Sequence, residues 1–143
     1  MINLRLDENS IDDLLNLVKD KYPLTEDIAK DICKGTNPVD ACTQVYGCYN
    51  VGVELVAIMT ATYFTVFPHE DGTRVVHISG AYTREDMRGN DLASILIQAI
   101  EDDARKYFHA DYLCCDSVAD ELYLSMGFEP APSCENRLWK RLS

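Results

Sequence analysis

The chain has no run of about 18 uncharged apolar residues, so no helix of it is expected to cross a bilayer. Its opening residues, MINLRLDENS, have no apolar h-region and carry acids early, so they do not read as a secretory signal. Basic residues are scarce: 13 Lys and Arg stand against 24 Asp and Glu, a formal net charge of −11, and no Lys/Arg cluster offsets it locally. That balance excludes nucleic acid and anionic membrane as expected partners and suits an amine better. None of the six cysteines, Cys33, Cys42, Cys48, Cys114, Cys115 and Cys134, stands in a Cys-x-x-Cys pair. Without an export signal they imply a reducing compartment, hence a cytoplasmic location with no metal site and no structural disulfide. No repeat, low-complexity tract or Gly/Ser linker interrupts the sequence, and 143 residues at 47% hydrophobic suffice for one core but not two. A single domain over residues 1–143 is the expectation.

What is present is a succession of helical and strand signals. Ser10 and Asp13 resemble a capping pair, and Ile11, Leu14, Leu15 and Val18 follow at helical spacing, ending before Pro23. Thr25 caps a second expected helix with Ile28, Ile32 and Cys33 on its buried side, closed by the turn residues Gly35 to Asp40. A short strand is expected near Thr43 to Tyr49, a turn at Asn50 to Gly52, and a longer strand from Glu54 to about Phe67. The run VELVAIMTATYFTVF is apolar and β-branched on both faces, as a central strand covered on both sides requires. His69 to Gly72 reads as a hairpin turn, Arg74 to Tyr82 as the next strand, Asp111 to Cys115 as a strand in which Cys114 and Cys115 act as small hydrophobes. Val118 to Met126 reads as a helix and Arg137 to Leu142 as a terminal strand. The fold class is α/β, with a mixed, mainly antiparallel central sheet flanked by about four helices.

The last third carries the chemistry. Val75, Val76 and Ile78 lead into the turn TREDMRGNDLAS, after which Leu92, Ile95, Leu96, Ala99 and Ile100 form a helical stripe. A strand that turns directly into a helix leaves free N–H groups above the turn, and with the helix dipole they form an anion site that Gly89 lets a ligand approach closely.

These residues resemble the GNAT superfamily of N-acetyltransferases. The family's Arg/Gln-x-x-Gly-x-Gly/Ala signature corresponds to Arg88, Gly89, Asn90, Asp91, Leu92 and Ala93, and its Asn-x-x-Ala-x-x-Leu-Tyr-x-x-x-Gly-Phe element to Asp116 through Ala119, Leu122, Tyr123, Gly127 and Phe128. The resemblance is detailed over the C-terminal half. It implies the GNAT fold, acetyl-coenzyme A as cosubstrate, and transfer of its acetyl group to a primary amine by direct attack. It assigns the cosubstrate to Ala81, Thr83, Arg88, Gly89, Asn90, Asp91, Leu92, Ala93, Ser94 and Asp116, and the acceptor to a groove made by the two early helices and the Phe67 to Thr73 turn. Tyr123 stands where the family has the tyrosine that serves the departing thiolate as acid; the alternative is a ring that only packs at a helix–sheet seam.

The base is open among His77, Glu54 and Glu85. His77 has a pKa suited to the task, or is a hydrogen-bonded strand histidine; the glutamate the family more often uses on this sheet is Val75 here. His69 and His109 are expected in a turn and past a helix end. Two aspartates depart from the family pattern. Asp91 replaces the first motif glycine, and an aspartate there reads as an N-cap. Asp116 replaces the asparagine that binds the pantetheine arm, and a carboxylate cannot donate as an amide does. They leave open a second class of function, a degenerate GNAT-fold binding or structural protein that has lost cosubstrate and catalysis. The identity of the amine and the oligomeric state, homodimer included, are not written in the sequence.

Overall fold

The computed structural model describes residues 2–6, 8–18, 42–64, 74–89, 91–116, 120–132 and 136–142. Among the described residues seven strands form one sheet: β1 (Ile2–Arg5), β2 (Cys42–Tyr49), β3 (Leu55–Phe64), β4 (Val75–Thr83), β5 (Tyr112–Asp116), β6 (Glu129–Pro130) and β7 (Arg137–Arg141). Their order is β1-β2-β3-β4-β5-β7-β6. Every neighbouring pair is antiparallel except β4 and β5. A parallel pair needs a crossover, and α2 (Leu92–Asp103) supplies it, continued by a π-helical turn at Ala104–Phe108. The other described helices are α1 (Ile11–Val18) and α3 (Asp120–Ser125).

The mixed, mainly antiparallel sheet agrees with the expectation. Two short strands add to it: β1, four residues paired only to β2, and β6, two residues paired only to β7. Neither is long enough to show a period in the sequence. β3 is described to Phe64, and its expected continuation to about Phe67 falls outside the described residues. The expected second helix, the His69 to Gly72 turn and the groove they would line fall outside the described residues, as do Asn90, Ser117 to Ala119 and Cys134.

The sheet is packed on both faces, which explains the nearly unbroken apolar run from Leu55 to Met59, all buried. On one face α2 and α3 bring Leu92, Leu96, Ile97, Ile100 and Tyr123 against Met59, Ala61, Val76, Ile78 and Leu113. On the other, Ile11, Leu14 and Val18 of α1 meet Leu6, Val45, Tyr49, Leu55 and Ile58. Each such side chain contributes about 1.5–3 kcal/mol by leaving water. Asp13, expected beside a cap, accepts a hydrogen bond from the Tyr49 hydroxyl at 3.1 Å and so ties α1 to the sheet. Across the other layer the Tyr46 hydroxyl meets that of Tyr63 at 2.5 Å and donates to Asp103 Oδ2 at 2.8 Å. Burial pushes the Tyr46 phenol well above its ordinary range, so Tyr46 enters this link between sheet and helix as a neutral phenol.

Candidate active site

The site begins where β4 and β5 stop pairing. Their ladder runs only from Val75 opposite Tyr112 to Ile78 opposite Cys115, while β4 continues to Thr83 bonded to β3 alone. At the same point β4 carries a bulge. Thr60 of β3 faces Ser79, and Ile58 faces Tyr82, so Met59 is opposed by two residues, Gly80 and Ala81. Gly80 takes φ +60°, and a Cβ on it would stand 3.1 Å from Thr60 Oγ1. The extra residue reverses the side-chain alternation beyond it. Val76 and Ile78 pack under α2, whereas Tyr82 packs with the α1 layer. A glycine isolated within a strand is the sequence signal for such a bulge, and it was there to be read in ISGAY. Gly80→Ala should destabilise the chain by about 1–2 kcal/mol, because alanine at this φ meets both backbone strain and Thr60; chemical denaturation checks it, and an unchanged midpoint would mean that the bulge relaxes freely.

Beyond β4 the chain makes a 3-10 turn at Glu85–Met87 and enters α2. Arg84 anchors the turn: its amide donates to Val56 O at 2.8 Å, and its guanidinium grips Asp86 at 2.6 and 3.1 Å and Glu54 at 3.2 Å. The same guanidinium holds the Asp86 carboxyl below the usual carboxylate range. Arg88 is exposed, with its Nε donating to Thr83 O at 3.1 Å and its guanidinium carbon 6.0 Å from the centre of the Tyr82 ring. Its terminal nitrogens have no partner among the described residues. Gly89 takes φ +85°, and a Cβ there would meet nothing within 4 Å, so the backbone at this point borders open space. The first-turn amides of α2, on Leu92, Ala93 and Ser94, have no acceptor inside the helix. The Leu92 side chain itself is core, which leaves only its amide at the turn.

Asp91 differs from its sequence reading. It is the residue before α2, but its φ of 58° and ψ of 25° are left-handed, and its side chain makes no capping hydrogen bond. An N-capping aspartate has extended backbone; here only its carbonyl serves the helix, accepting from Ile95 N at 3.1 Å. The position has the conformation a glycine adopts without strain, and Asp91 is exposed at the first turn of α2.

Tyr123 sits on α3 in the α2-side core, only 5% exposed. Gly127, at φ +94°, ends this helix, and the Phe128 amide turns back to Tyr123 O at 3.0 Å, so the two rings meet edge to face at 5.2 Å. Burial, and secondarily the nearby Cys115, push the Tyr123 phenol up to about 12. Cys115 is the last residue of β5 to pair with β4, which puts the phenol beside the point where the strands part.

His77 lies on the opposite face. It is the Cα partner of Cys114, next to Thr62 of β3, with Val76 and Ile78 on either side pointing under α2. Its Nε2 is buried without a hydrogen bond, 3.8 Å from Asp116 Oδ1, and Arg137 Nε of β7 is 3.8 Å from the same oxygen. Burial holds the imidazole below the ordinary histidine value; the Asp116 carboxylate pulls the other way and Arg137 adds to the lowering. Sequence reasoning missed Arg137, because nothing local marks a residue from a third strand. The fold brings Tyr123, His77 and Asp116 to the end of the β4–β5 ladder. It does not bring Glu54 there: Glu54 precedes β3 and is bonded to Arg84 beyond the far end of β4, in a separate cleft of about 210 Å³ shared with Asp13, Asn16 and Leu17. Glu85 lies exposed in the 3-10 turn. Ala81 and Thr83 lie on the part of β4 that has left β5, Ala81 exposed and Thr83 half-buried.

No curated protein matches the sequence. Solved structures do match in fold. NAA60 of Arabidopsis thaliana in complex with a bisubstrate analogue superposes with a TM-score of 0.71 at 13% identity, over 91% of this chain and 84% of that one. An N-acetyltransferase from Staphylococcus aureus gives 0.70 at 18% identity over 98% and 96%, and a ribosomal-protein-alanine N-acetyltransferase from Brucella melitensis 0.70 at 17% over 94% of each. The family model described as Acetyltransferase (GNAT) family matches residues 12–128, from α1 to the phenylalanine that folds back on Tyr123. A match of that extent, on a chain whose sheet opens between β4 and β5 above a glycine turn, makes this protein a member of the GNAT acetyltransferase family.

Proposed function

We propose that the chain transfers the acetyl group of acetyl-coenzyme A to a primary amine by direct attack, with His77 as base and Tyr123 as acid. The observation that carries this reading is the parting of β4 from β5 with an imidazole on one face and a buried neutral phenol on the other. The cosubstrate fits the residues present: Gly89 borders open space, the first amides of α2 have no acceptor inside the helix, and the terminal nitrogens of Arg88 have no partner among the described residues and can take a phosphate. NAA60, similar in fold, was solved with acetyl-CoA, which supports the same choice. Acetyl-coenzyme A supplies an activated thioester carbonyl.

This chain's residues do the rest. Arg88 and the amides from Gly89 to Ser94 would hold the pyrophosphate. The amine nitrogen gives up its proton to His77 as the new N–C bond forms, and the sulfur that leaves with the C–S electron pair needs the proton held on Tyr123 Oη. Water then carries a proton from imidazolium to phenolate, which restores both groups. An imidazole held low in pKa is neutral at pH 7 and ready to accept. The acid excess of the chain favours a cationic acceptor reaching the site.

The reading is tested by adding coenzyme A, which should raise the melting temperature, and by following free thiol released from acetyl-coenzyme A. The amine panel holds an aliphatic diamine, an amino acid amide and a short peptide with a free N-terminus. No thermal shift and no amine-dependent thiol would sink it in favour of a binding or structural role. Arg88→Ala should weaken coenzyme A binding about tenfold or more while melting stays within a few degrees, since an exposed arginine packs little but can pair with phosphate. Loss of stability without loss of binding would assign Arg88 to the Thr83 contact alone.

A further inference from the structure

We propose that Asp116 is a positioning residue for His77: its carboxylate, anchored by Arg137, receives the imidazolium that forms when His77 takes the acceptor's proton. The inference rests on the reading of His77 as base. Asp116 is the first residue of β5 past the ladder with β4, and it shares a face with His77 because Cys114, two residues earlier, is the Cα partner of His77. The buried, unbonded Nε2 of His77 is directed at Asp116 Oδ1 across 3.8 Å. That gap is too long for a hydrogen bond, and a side-chain shift of about 1 Å closes it to the separation of a charge-assisted one. Asp116 and Arg137 are Cα partners on β5 and β7, and Arg137 Nε reaches the same oxygen. Arg137 and an imidazolium converging on one oxygen favour an acceptor that is also negative. A carboxylate supplies that charge, whereas an asparagine oxygen could accept from both but would not balance them. This explains why an aspartate stands here better than a role in donating to a pantetheine arm. Among the described residues the charged groups facing His77 are Asp116 and Arg137, with the Cys114 thiol alongside and Thr62 of β3 opposite.

The proton is conserved through the step: it leaves the amine nitrogen, resides on the imidazole while Asp116 balances the charge, and passes to water. An aspartate left alone with Arg137 would do none of this. The test uses the full chain, with the His77 ring titrated by NMR and its resonance assigned by its loss in His77→Gln. Asp116→Asn should move that titration to lower pH, because it removes the group that raises it and leaves Arg137. Arg137→Gln should move it upward. With acetyl-coenzyme A and the best amine of the panel, Asp116→Asn should lower kcat about tenfold with KM for the amine within a few-fold, and shift the acidic limb of the pH profile in step with the NMR. His77→Gln should lose at least as much turnover. An unchanged His77 titration in Asp116→Asn beside an inactive His77→Gln overturns the pairing and leaves His77 as base. Full turnover of His77→Gln overturns the base assignment and the pairing with it. An effect of Asp116→Asn confined to KM for acetyl-coenzyme A overturns the pairing in favour of cosubstrate binding.

Discussion

Tyr123→Phe is expected to lower kcat about 10²-fold or more, while affinity for coenzyme A changes only a few-fold and melting hardly moves. The substitution removes one oxygen. The ring keeps its edge-to-face contact with Phe128 and its place in the α2-side core, and no hydrogen bond from the hydroxyl to the described residues is lost. What is lost is the proton. In rate terms 10² is about 2.7 kcal/mol of barrier, within the usual range for one acid. The phenol is pushed up to about 12, so it stays protonated across the working range. Loss of the acid by titration would appear only as pH approaches 12, and wild-type kcat should therefore show no fall attributable to Tyr123 between neutrality and about pH 10. Steady-state rates beside thermal melts check both points. Unchanged turnover in the phenylalanine variant would make Tyr123 a packing ring and nothing more.

Asp91→Gly should tighten coenzyme A binding at least tenfold. A carboxylate about 4 Å from a pyrophosphate oxygen meets repulsion of roughly 4 kcal/mol at an effective dielectric of 20, close to a thousandfold in affinity; solvent around this exposed side chain screens part of that. The geometry also alters the stability expected of the variant. Had Asp91 capped α2 with its side chain, glycine would cost stability. Its left-handed backbone and a carboxylate that does not cap the helix mean instead that glycine relieves about 1–2 kcal/mol of strain. Added chain entropy offsets about 0.5–1 kcal/mol of that, and the lost favourable charge at the helix N-terminus about 0.3–1 kcal/mol more. Melting should stay within about 1 kcal/mol of wild type. Asp91→Asn, which keeps a residue tolerant of this conformation but removes the charge, should recover most of the binding gain. Isothermal titration of the three forms decides. Micromolar binding by wild type with no gain in either variant would show Asp91 to be compatible with the cosubstrate and remove the chief support for a degenerate domain.

The turn and the helix after β4, and the Tyr123 to Phe128 element, were legible because each is encoded within a dozen or so residues: a helical stripe, a glycine that ends a helix, a glycine that opens a turn. The two-sided burial of β3 was legible for the same reason. Asp91 misled because residue type suggests a cap, whereas the backbone angle that decides the matter is set by how the turn from Arg84 must reach α2. Glu54 and Glu85 stood beside His77 as candidate bases, since a sequence does not say at which end of a sheet a residue lies. The grouping of His77, Asp116 and Arg137 draws on three strands and depends on the β4–β5–β7 order, which only the folded sheet supplies. β1 was missed because four residues at a sheet edge carry no period of their own.

The bulge at Gly80 makes residue count, and not only residue identity, a condition of function in β4. Removing one residue between Ser79 and Tyr82 would not merely shorten the strand. It would restore plain one-to-one alternation, with Tyr82 still opposite Ile58 in the α1 layer, and remove the local kink and added twist at the level where β4 parts from β5. The opening beside Tyr123 would then lose the bend that accompanies it while every side chain of the proposed site remained in the sequence. A frame-preserving deletion of a single codon here should therefore be harsher than most substitutions in the same stretch, and a compensating insertion should be effective only on this strand and at this level of the sheet.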